Sequence, residues 1–395
     1  MSKHSTELKT QLVSLGRDPK RDSGSVNPPV HRTSTVIFSD YDTFAAYEEG
    51  TIEHIGYGRN GSPTTQGLEQ ALATLEGADH ALITASGLAA ITTTLFALTK
   101  AGDHVLVPDS VYSSARQFFK HELPRMGVEV EFYDPTLGAD IETLMRPNTS
   151  MIYAESPGSL TFEMQDLPAL AKVAHAHGAL LVSDNTWATP LLMRPFALGV
   201  DVSIHSATKY IAGHSDLVMG AIMCKAAQYK TLKRAHRNIG AVSGGDNAYL
   251  ALRGLRTIAV RLKQHQEHAM EVATWLQTVP EVKRVLYPAL PQDPGHALWK
   301  RDLTGATALF AVELQEKASH AALAAMMDGL EHFGMGFSWG GYESLIISYD
   351  PSTMRSVTKQ WEKPTTLLRL HIGLEAPQDL IADLDAGFKR LRAAS

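Results

Sequence analysis

Short β-branched or apolar runs alternate along this chain with longer stretches whose apolar residues recur every three or four positions. That alternation predicts an α/β fold on a mostly parallel sheet. The runs 80–84, 104–107, 128–133, 151–155, 180–183, 202–205 and 218–224 read as strands. Several are apolar almost throughout, as strands covered on both faces are, and ligands then belong at their carboxyl ends. Leu252, Leu255, Ala259, Leu262, Ala269, Val272 and Leu276 keep helical spacing and predict one long helix, 252–276, joining two domains. Beyond it the pattern predicts a strand around 307–314, a helix from 318 to about 329 and strands at 343–349 and 367–374. A last helix is opened by Pro377, with Asp379 in its first turn.

Composition narrows the picture. The 395 residues are 44% hydrophobic and 20% charged, which suits a folded protein of two or three domains. A net charge of −6 gives no field for holding polyphosphate, so nucleic acid is not expected as a partner. The start, MSKHSTELKTQ, shows no apolar stretch or cleavage site of a secretory leader, and a cytoplasmic location is expected. Ala81 to Thr99 carries no charge, yet its Ser and Thr residues and its division into a short strand and a helix argue against a membrane span. The single cysteine, Cys224, is expected to be a buried, inert thiol.

Three motifs mislead. Gly56-Tyr57-Gly58-Arg59-Asn60-Gly61 matches a dinucleotide fingerprint, but no apolar strand precedes it and Pro63 separates it from the next helix. Ser206-Ala207-Thr208-Lys209 and Ser183-Asp184-Asn185 supply two of the three signatures of penicillin-recognising serine enzymes, a rival reading weakened by the missing K-T-G. Histidine pairs such as His175/His177 and His265/His268 lack the company of a metal motif, and exposed helix histidines are the expectation. The basic run Lys230, Lys233, Arg234, Arg237 reads as a solvated helix face.

Four features carry chemistry. Lys209 lies just past the strand 202–205, where an α/β sheet presents its ligand, and is a candidate for imine formation if desolvated. Asp184 closes the run 180–183, well placed to pair with a protonated ring nitrogen. Ser86-Gly87 follows the first strand and opens a helix, which makes an anion seat. Arg369 sits inside Leu367-Leu368-Arg369-Leu370, where a buried guanidinium needs an anionic partner such as an amino-acid carboxylate.

With these residues in view, the chain resembles the pyridoxal-phosphate enzymes of cysteine and methionine metabolism, the transsulfuration family, from about Val26 to the last helix. The matching stretches include Tyr57-Gly58-Arg59, Ser86-Gly87, Asp109 to Tyr112, Glu155-Ser156-Pro157, Asp184-Asn185-Thr186, Ser206 to Tyr210, Gly213 to Asp216, Gly254 to Thr257 and Arg369 to Gly373. The stretches Glu155 to Ser159 and Gly336 to Leu345 are similar to those of bacterial members acting at the β carbon; γ-acting members usually carry Leu at the place of Trp339 and Asn at that of Ser159.

The resemblance implies a fold of the aspartate aminotransferase-like type: an arm at 1–60 reaching the neighbouring subunit, a cofactor-binding large domain at 61–255 and a small C-terminal domain at 256–395. It implies pyridoxal 5'-phosphate as cofactor, with Lys209 as the Schiff-base lysine, Asp184 on the ring nitrogen and Tyr112 stacked on the ring and assisting proton transfer. Ser86, Gly87, Leu88, Ser206 and Thr208 would hold the phosphate, and Tyr57 and Arg59 would reach the neighbour's phosphate in a homotetramer built as a dimer of dimers. Ser338, Trp339 and Arg369, with Tyr57 and Tyr112, would receive a small amino-acid substrate. The implied reaction is β-elimination of L-cystathionine to homocysteine, pyruvate and ammonia, with the γ-acting reactions of the same family as the alternative. No metal is implied.

Overall fold

The computed structural model describes residues 7–394; the polar start up to residue 6 lies outside the described residues. The large sheet contains β1 (His80–Thr84), β2 (His104–Pro108), β3 (Glu129–Tyr133), β4 (Thr149–Glu155), β5 (Leu180–Asp184), β6 (Val202–His205) and β7 (Gly220–Cys224). Its order is β1-β7-β6-β5-β4-β2-β3, and only β7 runs against its neighbours. β2 and β7 are buried at every position, as the unbroken apolar runs predict. Cys224 is buried at the end of β7, its thiol pushed up to about 12 by burial. Ala81 to Thr99 divides into β1 and the helix Gly87–Leu98, and no helix among the described residues is long and apolar enough to cross a membrane.

The predicted long helix begins earlier, at Gly245, and runs to Leu276. Its first two turns face inward through Ala248 and Ala251, whose small side chains give a weak periodic signal. His265 on this helix corrects the expectation of exposed histidines. It is fully buried, with Nδ1 2.9 Å from the carbonyl oxygen of Ile372, because that face of the helix packs on the second sheet.

That sheet contains β8 (Val282–Leu286), β9 (Leu309–Leu314), β10 (Gly334–Met335), β11 (Leu345–Tyr349) and β12 (Leu367–His371), ordered β10-β11-β12-β9-β8. β8 was not legible because Lys283 and Arg284 interrupt its apolar run; both pair with Glu313 of β9, at 2.8 and 2.6 Å. The helix His296–Asp302 buries none of its residues and so leaves no periodic trace. The strand expected at 218–224 starts only at Gly220, since the N–H and carbonyl of Met219 are engaged by the Thr208 hydroxyl. The other two predicted helices are present as His320–Met327 and Pro377–Ala393.

Candidate active site

β1, β2, β4, β5 and β6 point the same way, so their carboxyl ends form one edge of the large sheet. Asp184 is the last residue of β5, directly beside Glu155, the last residue of β4. Lys209 follows β6, Ser86 and Gly87 follow β1, and Tyr112 follows β2. The sequence therefore places its candidates together through strand direction alone.

Burial sets the electrostatics of these groups. Burial pushes the Asp184 carboxyl up, opposed by hydrogen bonds from Thr186 (backbone N–H at 2.9 Å) and by nearby His205 and Lys209. Glu155 is pushed well above the carboxylate range, first by burial and then by Asp184, although it accepts the N–H of Tyr112 at 2.8 Å. Of the two neighbouring carboxyls Glu155 is raised the further, since the Asp184 charge adds to its burial. Lys209 is brought down to about 8, by desolvation first and then by Arg369. An amine at that value is about one-tenth unprotonated at pH 7, far more than an ordinary lysine, and imine chemistry draws on that fraction.

Ser86 caps the helix Gly87–Leu98, its side chain accepting the N–H of Ala89 at 3.0 Å. The ordinary cap and the anion seat thus coincide, since the remaining N–H groups of that first turn, from Gly87 and Leu88, are left for a ligand. Gly87 faces Ser206 so closely that a Cβ there would lie 2.7 Å from the Ser206 Cβ. Any larger residue would close the seat. Ser206 is held by its own N–H, which donates to Thr186 Oγ1 at 2.8 Å. Thr208 is more committed: its hydroxyl accepts the N–H of Met219 at 2.9 Å and donates to that residue's carbonyl at 3.1 Å.

On the other wall, the small sheet supplies Arg369 from the middle of β12 and the loop that precedes β11. Lys209 Nζ donates to Ser338 Oγ at 2.6 Å and lies 5.4 Å from the centre of the Trp339 ring. Arg369 Nη2 donates to the Ser338 carbonyl at 2.9 Å, while its Nε is buried without a partner. Burial pulls the guanidinium down to about 10. A buried cation with an idle fork position is built for a carboxylate.

Tyr57 and Arg59 stand apart from this group in their own chain. Arg59 Nη1 donates to the Arg237 carbonyl at 2.6 Å, and Arg59 lines a cleft of about 1340 Å³ with Lys230, Lys233 and Arg234. The glycine-rich stretch around them is a short turn, Gly58–Asn60, leading into the helix Pro63–Glu76, so no dinucleotide seat forms. The serine-enzyme rival, which needs Ser206 as nucleophile with Lys209 as its base, is not supported by the geometry: Lys209 Nζ bonds Ser338, and Ser183 of the second motif is fully buried inside β5. Among the described residues, no cluster of His, Cys, Asp and Glu is arranged to hold a metal.

Two groups were not singled out from the sequence. Glu155 lay inside a quoted stretch but gained meaning only from its register with Asp184. Glu76, His205 and Asn185 form a buried cluster behind the sheet edge, with Glu76 Oε1 accepting from Asn185 Nδ2 at 2.8 Å and bonding His205 Nε2. Glu76 ends a helix far upstream, so no local spacing announces it.

An α/β sheet presenting a desolvated lysine, a buried aspartate and a helix-borne anion seat defines an enzyme built around an aldehyde cofactor carrying a phosphate. Residues 9–389 match the family model described as Cys/Met metabolism PLP-dependent enzyme. The chain is 41% identical to a cystathionine beta-lyase of Escherichia coli (strain K12), over 98% of this chain and 99% of that one. It is 44% identical to an L-alanine/L-glutamate racemase of Wolbachia pipientis wMel, over 96% of each. A crystal structure of cystathionine gamma synthase from Xanthomonas oryzae pv. oryzae superimposes with a TM-score of 0.90 at 33% identity, covering 99% of this chain and 100% of the other. The chain belongs to the pyridoxal-phosphate-dependent enzymes of cysteine and methionine metabolism.

Proposed function

We propose that this enzyme is a carbon–sulfur lyase that eliminates the β-thiolate of L-cystathionine, giving homocysteine and, once water hydrolyses the released three-carbon enamine, pyruvate and ammonia. The observation that carries the reading is the wall opposite Asp184, where the Lys209 amine, the Ser338 hydroxyl and the Arg369 guanidinium are linked in one chain of contacts. A substrate carboxylate accepted by Arg369 and the Ser338 loop would bring the Cα–H toward the Lys209 amine. The cofactor supplies an electron sink for the charge left when that proton is removed. Asp184 would keep the ring nitrogen protonated, Gly87, Leu88 and Ser206 would hold the phosphate, and Tyr112 would cover the ring.

Lys209, freed as an amine, acts as general base at Cα and then delivers a proton to the departing sulfur. Removal of a further proton from Cβ, which the γ-acting members require, needs the amine to swing along the substrate. The Trp339 indole beside Nζ restricts that swing, and this favours the β-reaction. The 41% identity to a β-lyase over almost the whole chain supports the same choice. Purified enzyme given cystathionine should form pyruvate and homocysteine; 2-oxobutyrate and cysteine as main products would assign it to the γ-lyases instead.

A second reading has an observation of its own in the racemase relative at 44% identity. Racemisation shares the proton removal by Lys209 and differs in returning the proton on the opposite face, where Tyr112 would have to act. Release of D-alanine from L-alanine at a rate near that of cystathionine turnover would favour it. We further propose a homotetramer with sites shared across a dimer, supported by the exposure of Tyr57 and of the apolar Ile37 and Phe44 in the arm. Sedimentation of the purified enzyme tests that arrangement.

A further inference from the structure

Ser338, which touches both Lys209 and Arg369, has a backbone conformation that side-chain-bearing residues rarely adopt, with φ +81°. Such a conformation persists only where the surroundings enforce it. Two residues further on, Gly340 (φ +87°) packs so tightly against the Lys209 segment that a Cβ would lie 2.8 Å from the backbone nitrogen of Tyr210. Contact with the lysine segment therefore fixes one side of the loop. The other side is held from β12 by two side chains, Arg369 at the Ser338 carbonyl and a second at Gly340 and Gly341.

That second side chain is His371. It stands two residues beyond Arg369 on β12, and residues at that spacing share a face of a strand. Its Nε2 lies 3.1 Å from the Gly340 nitrogen and 3.1 Å from the Gly341 carbonyl oxygen. Its Nδ1 is buried without a partner. The ring is packed among Tyr210 at 6.0 Å and His265 at 5.4 Å between centres, and Tyr210 in turn meets Trp339 at 5.5 Å. Burial first, and then His265, Arg369 and Lys209, bring His371 down to about 3, so the ring is neutral at working pH.

We propose that His371 is a positioning residue for substrate recognition: it ties the 338–341 loop to the strand that carries Arg369, and so sets the Ser338 carbonyl and hydroxyl at the distance that shapes the carboxylate pocket. The inference rests on the reading that Arg369 and Ser338 receive the substrate carboxylate. As a neutral ring, Nε2 serves one of the two loop atoms at a time, accepting from Gly340 or donating to Gly341 according to tautomer. A glutamine amide carries both an acceptor and a donor at about the same reach. A phenylalanine fills the same space and offers neither.

The test uses holoenzyme and two small amines, glycine and methylamine, whose binding is read from the change in the cofactor's visible absorbance. Their affinity ratio measures carboxylate recognition separately from turnover. His371→Phe should lower the preference for glycine about 10-fold or more, as loss of placement in a bound group does. Cofactor stoichiometry should be unchanged, and KM for cystathionine should rise more than kcat falls. His371→Gln should stay within about 3-fold of the parent, since the amide restores the tie. Should the Phe variant fail to fold, His371→Asn, whose shorter amide falls short of the loop, replaces it with the same expected loss.

Arg369→Lys is the control that separates the two claims. If it abolishes the preference for glycine while His371→Phe preserves it, the positioning role is overturned and the carboxylate reading stands. If the preference survives Arg369→Lys, the carboxylate reading fails and the role of His371 falls with it.

Discussion

Two buried acids of the large sheet end in opposite electrostatic states. Asp109, just past β2, is fully buried, paired with Arg116 at 2.9 Å, and accepts the N–H groups of Ser356, Val357 and Thr358 at 2.9 Å each. Burial alone would push it up, but these bonds and the Ser356 hydroxyl outweigh it and bring it to about 2. Asp184, at the end of β5, is raised instead, with Glu155 alongside. Asp109 has every partner supplied by its own chain and fastens the segment before β12 to the large sheet. Asp184 has only Thr186 and more distant charges to set against its burial. A buried acid held low by its partners fastens a fold, and one left raised at a sheet edge is a candidate for a ligand.

The largest expected effect comes from exchanging the acid in the satisfied site. Asp109→Asn strands the Arg116 charge and should cost about 3–5 kcal/mol in denaturant unfolding; a change below about 1 kcal/mol would remove the fastening role. By the same linkage, a carboxylate depressed in the folded state adds stability above its unfolded value near 4 and loses it as pH falls through about 2. Acid titration of the wild type against Asp109→Asn should therefore show the two converging only toward that lower limit.

At Asp184 the sign reverses. An acid raised in the folded state begins to subtract from stability as pH rises past its unfolded value near 4, and subtracts in full above its folded value. Stripped of cofactor, Asp184→Asn should be no less stable than its parent, within about 0.5 kcal/mol or better, while activity of the reconstituted enzyme falls about 100-fold or more for want of ring-nitrogen protonation. A variant that unfolds readily, yet keeps its activity, would make Asp184 another Asp109.

A smaller effect concerns Lys209. Its amine is freed near pH 8, where an ordinary lysine waits until 10.5. The rate at which apoenzyme captures pyridoxal phosphate should then rise through about pH 8 and level off above it. Arg369→Met, which removes a neighbouring positive charge, should move that midpoint upward.

The same contrast explains what could be read from the sequence. The large-sheet strands announced themselves because buried parallel strands are apolar runs, and Lys209, Asp184, Ser86 and Gly87 followed because they stand where those runs stop. Arg369 was legible as a charge inside an apolar strand. Groups whose meaning lies in contacts between distant segments were not. Glu155 matters through its register with Asp184, His371 through a loop about 30 residues upstream, and Glu76, at a helix end, through a histidine on β6. His265 was misjudged because a polar residue on a helical pattern gives no sign that its face is covered. Boundaries slipped where side chains replaced ladder bonds, as Thr208 does at Met219.

The central claim is that the Lys209 amine, desolvated beside Arg369 and facing Asp184, is the point at which the cofactor is bound. Borohydride reduction of the yellow holoenzyme, followed by peptide mapping, tests this directly. The reduced pyridoxyl phosphate should be found on the peptide carrying Lys209, with no label in Lys209→Ala. Label on a different lysine, or full activity in a preparation that acquires no label, would contradict it.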